Sequence, residues 1–182
     1  MKRILFVVGS LRERSFNRQL AQEAARLLEG RAEVSFLEYA DVPFMNQDIE
    51  FPAPEAVTRV RREVQEADGM WIFSPEYNYS YPAVLKNLID WLSRPLTAGD
   101  RSTAVIVGKK VAVSSAAGGS AGAGTRAMVG KLMAAVRADF MEDPQTGVRL
   151  DRAAFTTDVL ALSEEDRAAL AAQTDAFLAY LG

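Results

Sequence analysis

Ser10, Arg12, Ser15 and Asn17 stand together in one short loop, GSLRERSFN at residues 9–17, and set one guanidinium among three neutral hydrogen-bonding side chains. That donor set suits an anion, and a phosphate in particular, because hydrogen bonds to a charged oxygen are the strong ones. A second loop, SPEYNYSYP at residues 74–82, carries Tyr77, Tyr79 and Tyr81 between Pro75 and Pro82. So much aromatic area on a connecting loop suits a planar ligand, stacked and hydrogen-bonded by the phenols. The prolines fix φ and restrict Ser74 and Tyr81 before them, so residues 76–80 are expected to form a stiff platform.

Both loops stand between a buried strand pattern and an amphipathic helix pattern. Ile4, Leu5, Phe6, Val7 and Val8 form an apolar, β-rich run before the first, and Met70, Trp71, Ile72 and Phe73 form one before the second. After the first loop, Leu20, Ala24, Leu27 and Leu28 recur at helical spacing, with Arg18, Gln22, Glu23 and Arg26 on the opposite face. After the second, Val84, Leu85, Leu88, Ile89 and Leu92 do the same. The first loop therefore ends on a helix N-terminus near residues 15–17, where free N–H groups and the helix dipole favour an anion. Ser15 and Asn17 are equally good helix caps, and the loop alone leaves capping and phosphate binding both open. Neither a P-loop nor a Rossmann turn fits, since nothing after Gly9 supplies a second glycine or the lysine.

The rest of the chain continues the alternation. Strands are expected at 33–37, 69–74 and 111–115, with a weaker one at 138–141. Pro54 opens a helix that buries Val57, Val60, Val64 and Ala67; Met128, Val129, Leu132, Met133 and Val136 stripe another, its methionines being core filler. Ser163, followed by Glu164, Glu165 and Asp166, starts a last helix that buries Leu170, Thr174, Phe177, Leu178 and Leu181. This βαβ order implies a parallel sheet with helices on both faces, and ligands in such sheets bind beyond the carboxyl ends of the strands. Gly122, Gly124 and Ala127 also fit G-x-G-x-x-A, with Asp139 or Glu142 near the place of a ribose-binding acid. A dinucleotide fingerprint should follow its strand at once, and Gly122 comes several residues late, so a loop allowing close backbone approach to a ligand is the preferred reading.

Composition narrows the chemistry. The 182 residues contain no Cys and no His, which excludes thiol redox couples, thiolate nucleophiles, the usual serine triad and most zinc sites. Redox chemistry would need a bound cofactor. Asp41, Asp48 and Glu50 lack the clustering of a magnesium site and read as solvated loop residues. A net charge of −3 gives no reason to expect nucleic acid or an anionic membrane as partner. No apolar run has the length of a membrane span, and residues 1–3 lead into a strand without a signal-peptide pattern, so a single cytoplasmic domain over residues 1–182 is expected.

The segments GSLRERSFN, SPEYNYSYPAVLKNLIDWLSRP and VAVSSAAGGSAGAGTRAMVGKL resemble, in order and spacing, the signature segments of the NAD(P)H-dependent FMN reductases, a family that includes quinone, azo-dye and chromate reductases. The likeness runs to about Arg137, with DPQTG at 143–147 similar to a segment of some members. The resemblance implies a flavodoxin-like, doubly wound, five-stranded parallel sheet of order 2-1-3-4-5. It implies noncovalent FMN, with NADPH or NADH as co-substrate and a small-molecule electron acceptor. Ser10, Arg12, Ser15, Phe16 and Asn17 would hold the phosphate; Pro75, Glu76, Tyr77 and Asn78 would line the isoalloxazine; Ser115, Gly118 and Gly119 would close its other edge. Ala83 replaces a glycine common in the family. No side chain is assigned as a catalytic acid or base, and no metal is implied. A homodimer or homotetramer is expected, with Trp91 and Leu92 as apolar interface area or, alternatively, as residues facing the sheet.

Two rivals come from other classes. A flavodoxin-type electron carrier should show stronger charge asymmetry for docking its redox partner than −3 provides. A purely structural protein would leave the three tyrosines and Arg12 unexplained.

Overall fold

In the computed structural model, which describes residues 1–182, five parallel strands lie in the order β2-β1-β3-β4-β5, and a sixth, β6, also pairs with β4. The strands are β1 (Lys2–Val8), β2 (Ala32–Phe36), β3 (Gly69–Phe73), β4 (Lys110–Ala117), β5 (Asp139–Phe140) and β6 (Gly147–Arg149). The helices are α1 (Phe16–Leu28), α2 (Glu55–Glu66), α3 (Ala83–Leu92), α4 (Ala123–Ala135), α5 (Arg152–Thr157) and α6 (Glu164–Leu181). The order reverses between β1 and β3, where the chain first winds outward to β2 and then returns to the other side of β1.

Two apolar layers follow from the two-residue period of the strands. Ile4, Phe6 and Val8 of β1, with Trp71 and Phe73 of β3, meet α1 and α6 through Phe16, Leu20, Ala24, Leu28, Leu170 and Phe177. Leu5, Val7, Met70, Ile72, Val111 and Val113 point the other way, onto Val60 and Val64 of α2, Leu85, Leu88 and Ile89 of α3, and Val129 and Met133 of α4. The central strands β1 and β3 are buried on both faces, which is why residues 4–8 and 69–73 read as unbroken apolar runs, whereas β2, β5 and β6 are partly exposed. Phe6, Trp71 and Phe73 form an aromatic row in the first layer, with Trp71 and Phe73 stacked at 5.3 Å. A polar thread crosses the same layer: Trp71 Nε1 donates to Ser114 Oγ, Ser114 Oγ to Gln173 Oε1, and Gln173 Nε2 to the Val113 carbonyl.

The expected elements appear with small shifts, and three differences matter. The strand expected at 111–115 runs from Lys110 to Ala117, so Ser115 lies inside it rather than at its mouth. The strand expected at 138–141 shrinks to Asp139–Phe140, and its partnership with β4 resumes only at β6, which the sequence did not announce. Helix α5 was also unforeseen. Trp91 and Leu92 are fully buried within the chain and supply no interface area: Leu92 sits in the second layer, and Trp91 Nε1 donates to the Pro43 carbonyl. The carboxylates Asp41 and Glu50 are engaged by Arg59 and Arg94.

The last helix is started by a full capping box, in which Ser163 and Asp166 bond each other's backbone N–H. No helix is long and apolar enough to cross a membrane.

Candidate active site

The loops after β1, β3 and β4, joined by α5, enclose an open cavity of about 370 Å³ at the carboxyl ends of the strands. Ser10, Arg12, Ser15, Phe16, Asn17, Pro75, Glu76, Tyr77 and Gly118 all line it, as do Ala116, Ala117, Leu150, Phe155 and Asp158. Nine of the residues singled out from the sequence thus meet in one place. Asn78, Ser115 and Gly119 do not line it.

At one end the chemistry is that of an anion site. Ser15 caps α1, its Oγ accepting weakly from the Arg18 amide at 3.4 Å, while its hydroxyl proton remains available. The amides of Phe16 and Asn17 have no protein acceptor, as expected for a first helical turn. Capping and anion binding are therefore compatible here, since Ser15 satisfies one orphan donor and leaves others free. Arg12 lies over the Phe16 ring, 4.9 Å from its centroid, and its Nη1 donates to Asp158 Oδ1 at 2.6 Å.

Asn17 has a different task from the one its position implied. Its Nδ2 donates to the Ala116 carbonyl at 2.9 Å and its Oδ1 accepts from the Ala116 amide at 2.8 Å. β3 ends its pairing with β4 at Phe73 and Ser114, so beyond that point this edge of β4 has no strand beside it. The Asn17 amide stands in for the missing neighbour and fixes the start of α1 to the end of β4. Its backbone N–H, not its side chain, is free to meet a ligand.

The second loop owes its stiffness to a hairpin. Tyr77 and Ser80 exchange both backbone hydrogen bonds, at 2.9 and 3.0 Å, around Asn78 and Tyr79, which have φ of 52° and 64°. Two residues of positive φ make the tight turn favoured in hairpins, and a tyrosine at such a φ is uncommon. The turn carries Asn78 to the tip, away from the cavity. Its three tyrosines diverge: Tyr77 lines the cavity, Tyr79 is exposed, and Tyr81 packs against the second apolar layer.

Glu76 ties this loop to the next. Its Oε1 accepts from Ser120 Oγ at 2.6 Å and its Oε2 from the Thr125 amide at 2.8 Å. Burial acts to raise the carboxyl, but the bonds from Ser120 and from the amides of Thr125 and Gly124 prevail and hold it below the usual carboxylate range. Glu76 thus serves as the N-terminal anion of α4, which its own Gly122 cap lacks. Burial also lowers Arg126, opposed by Glu76, and Arg126 Nη1 donates to Ser115 Oγ and the Ala121 carbonyl.

These contacts explain Ser115 and the glycines of the G-x-G-x-x-A run. Ser115 Oγ is consumed by Arg126 and by the Ala121 carbonyl, so the cavity receives Ala116, Ala117 and Gly118 instead. Gly122 has φ 74°, and a Cβ there would collide with the Ser115 side chain; at Gly124 it would come within 2.8 Å of the Glu76 carboxylate. Both glycines serve internal packing around the loop, which accounts for the fingerprint without a dinucleotide. Phe155, edge-on to Phe16 at 5.8 Å, and Asp158 escaped sequence reasoning because they lie far along the chain in a segment without a motif.

A phosphorylated planar ligand fits these walls. The guanidinium, hydroxyls and free amides would take the phosphate, and Pro75, Tyr77 and the backbone at 116–118 would flank the ring. Such a donor set, with no thiol, imidazole or clustered carboxylates, supplies no redox chemistry of its own, so electron transfer here would be done by the bound ligand.

Residues 2–151 match the family described as NADPH-dependent FMN reductase. Over its whole length the chain superposes with TM-score 0.87 and 31% identity on the flavoenzyme NAD(P)H:(acceptor) oxidoreductase FerB from Paracoccus denitrificans, covering 97% of that chain. It is 43% identical over 93 residues to a 2-hydroxy-1,4-benzoquinone reductase of Burkholderia sp, 51% of each chain. With a quinone reductase of Pseudomonas putida it shares 39% over 120 residues, 65% of this chain and 62% of that one. The chain therefore spans about half to three-fifths of the length of the curated relatives it matches. The azoreductase AzrA, at 19% identity and TM-score 0.63, shares the fold. The chain belongs to the NADPH-dependent FMN reductase family, and FMN with NAD(P)H as co-substrate are the ligands that this membership brings.

Proposed function

We propose that residues 1–182 act as one FMN-binding domain that catalyses NAD(P)H-dependent reduction of small acceptors, with quinones foremost and azo compounds, chromate-like oxyanions or free flavin also within reach. The observation that carries this reading is the convergence of an anion site and an aromatic wall on one open cavity at the switch point of the sheet. Quinone reductases among the relatives favour quinones as the first acceptors to try.

FMN, when bound, supplies the two-electron chemistry between NAD(P)H and the acceptor. The chain supplies position. Ser10, Ser15, Arg12 and the amides of Phe16 and Asn17 would anchor the phosphate, with Asn17 holding that helix start against β4. Pro75 and Tyr77 would set the ring plane, and Glu76 would keep the β3 loop in register with residues 118–124. Gly118 carries no side chain into the open side of the cavity, leaving room for a second ring. No residue needs to act as an acid or base for hydride transfer, in keeping with a chain that has no His.

One cavity for both substrates has a kinetic signature. Varying NAD(P)H and a soluble quinone should give parallel double-reciprocal lines, because the oxidised nicotinamide must leave before the acceptor enters. Intersecting lines would contradict the shared cleft. Absence of any turnover would favour the electron-carrier alternative. Acceptor choice should be broad, since an open, largely apolar face offers few hydrogen bonds by which to discriminate. The protein is proposed to work in the cytoplasm as a homodimer or homotetramer, with an interface other than the buried Trp91 and Leu92.

A further inference from the structure

The cavity contains two carboxylates. Glu76 is consumed by Ser120 and Thr125, but Asp158 faces the anion site itself, on Arg12 at 2.6 Å, with Arg14 at 3.9 Å from its other oxygen. An acid at that place opposes the purpose of the loop, because a bound phosphate would carry about −1.5 to −2 charges beside it. We propose that Asp158 is a specificity-setting residue of the flavin site: an internal carboxylate that occupies the anion position in the free protein and yields it to the phosphate of FMN. This rests on the FMN reading given above.

Asp158 is held there by its backbone. Gln19 of α1 donates from Nε2 to the Asp158 carbonyl at 2.9 Å and accepts from the Leu160 amide at 2.8 Å, so the chain at 158–160 is docked on α1. Residue 158 closes α5 with φ 58°, a left-handed position where glycine or asparagine is the usual choice. Aspartate and asparagine both tolerate that conformation, so Asp158→Asn removes the charge without disturbing the backbone. Its side chain is about one-third exposed and that of Arg12 nearly one-half, so the pair is weak and the carboxylate has solvent to turn into. A phosphate offers three oxygens, and can bond Arg12, the serine hydroxyls and the free amides of Phe16 and Asn17 together; the carboxylate side chain hydrogen-bonds Arg12 alone, with Arg14 only at ion-pair distance. Exchange therefore runs toward the phosphate, at a reduced margin. The family match ends at residue 151, so α5 and Asp158 belong to a wall outside the matched segment.

The test is titration of flavin-free protein with FMN and with riboflavin, followed by quenching of flavin fluorescence, in the wild type, Asp158→Asn and Asp158→Ser. The charge-removing variants should tighten FMN binding roughly threefold to tenfold, as loss of a weak competing pair allows, and leave riboflavin unchanged. The ratio of riboflavin to FMN dissociation constants should rise accordingly. An unchanged or smaller ratio, or equal tightening of both flavins, would overturn the proposal even where the wild type prefers FMN. If only one variant folds, it decides. A wild type that binds neither flavin, or both equally, would instead overturn the phosphate-site reading beneath it.

Discussion

Replacing Asn17 with alanine is expected to destabilise the protein by about 2–4 kcal/mol, since the Ala116 N–H and C=O would lose their partners in a buried place and each such loss costs about 1–3 kcal/mol. For a chain of this size that is a fall in melting temperature on the order of 10 °C. Asn17→Asp should also destabilise, because a carboxylate keeps the acceptor but sets a negative oxygen against the Ala116 carbonyl. Thermal unfolding of flavin-free protein checks both, and a melting point within a degree or two of wild type for either would refute the clamp. The position of Asn17 between a phosphate loop and a helix suggests a ligand contact, yet its side chain is spent on the scaffold.

Arg12→Ala carries the second large effect. A charge-assisted hydrogen bond contributes about 1.5–3 kcal/mol, so FMN should bind roughly tenfold to a hundredfold more weakly. Loss of the guanidinium also leaves Asp158 facing the phosphate with only Arg14 near it. Riboflavin, which lacks the phosphate, should bind the variant almost as it binds the wild type. An equal loss for both flavins would move Arg12 from the phosphate to the ring, and no loss for either would remove it from the site.

What the sequence revealed and what it hid divide along sequence separation. β1 was legible because every residue from Ile4 to Val8 is apolar and the neighbouring helices show the 3.6-residue period; the sheet then follows from the alternation of the two patterns. Loops after β1 and β3 were legible because their chemistry is concentrated in adjacent residues. Asn17 with Ala116, and Arg12 with Asp158, are contacts across 99 and 146 positions, which no local pattern announces. Ser115 was misplaced for a related reason. The two alanines that extend β4 carry no strong strand preference, and their pairing with β6 decides where the strand ends. β6 itself is three residues long and follows a turn that resembles a loop, so only its partner makes it a strand.

The second loop brings fewer aromatic rings to the cleft than its sequence suggests. Three tyrosines suggested a common platform, but the hairpin at Asn78 and Tyr79 rotates successive side chains apart, leaving only Tyr77 in the cavity. Prolines gave the loop its entry and exit; the Tyr77–Ser80 pairing and the Glu76 clamp give it its shape.

The most direct measurement is the visible absorption spectrum of the purified protein under anaerobic conditions, before and after one equivalent of NADPH and again after a soluble benzoquinone. The account predicts flavin bands that belong to FMN in near-stoichiometric amount, bleach on adding NADPH or NADH, and return on adding the quinone. Protein that takes up no FMN, or whose bound FMN stays oxidised with both nicotinamides, would contradict it.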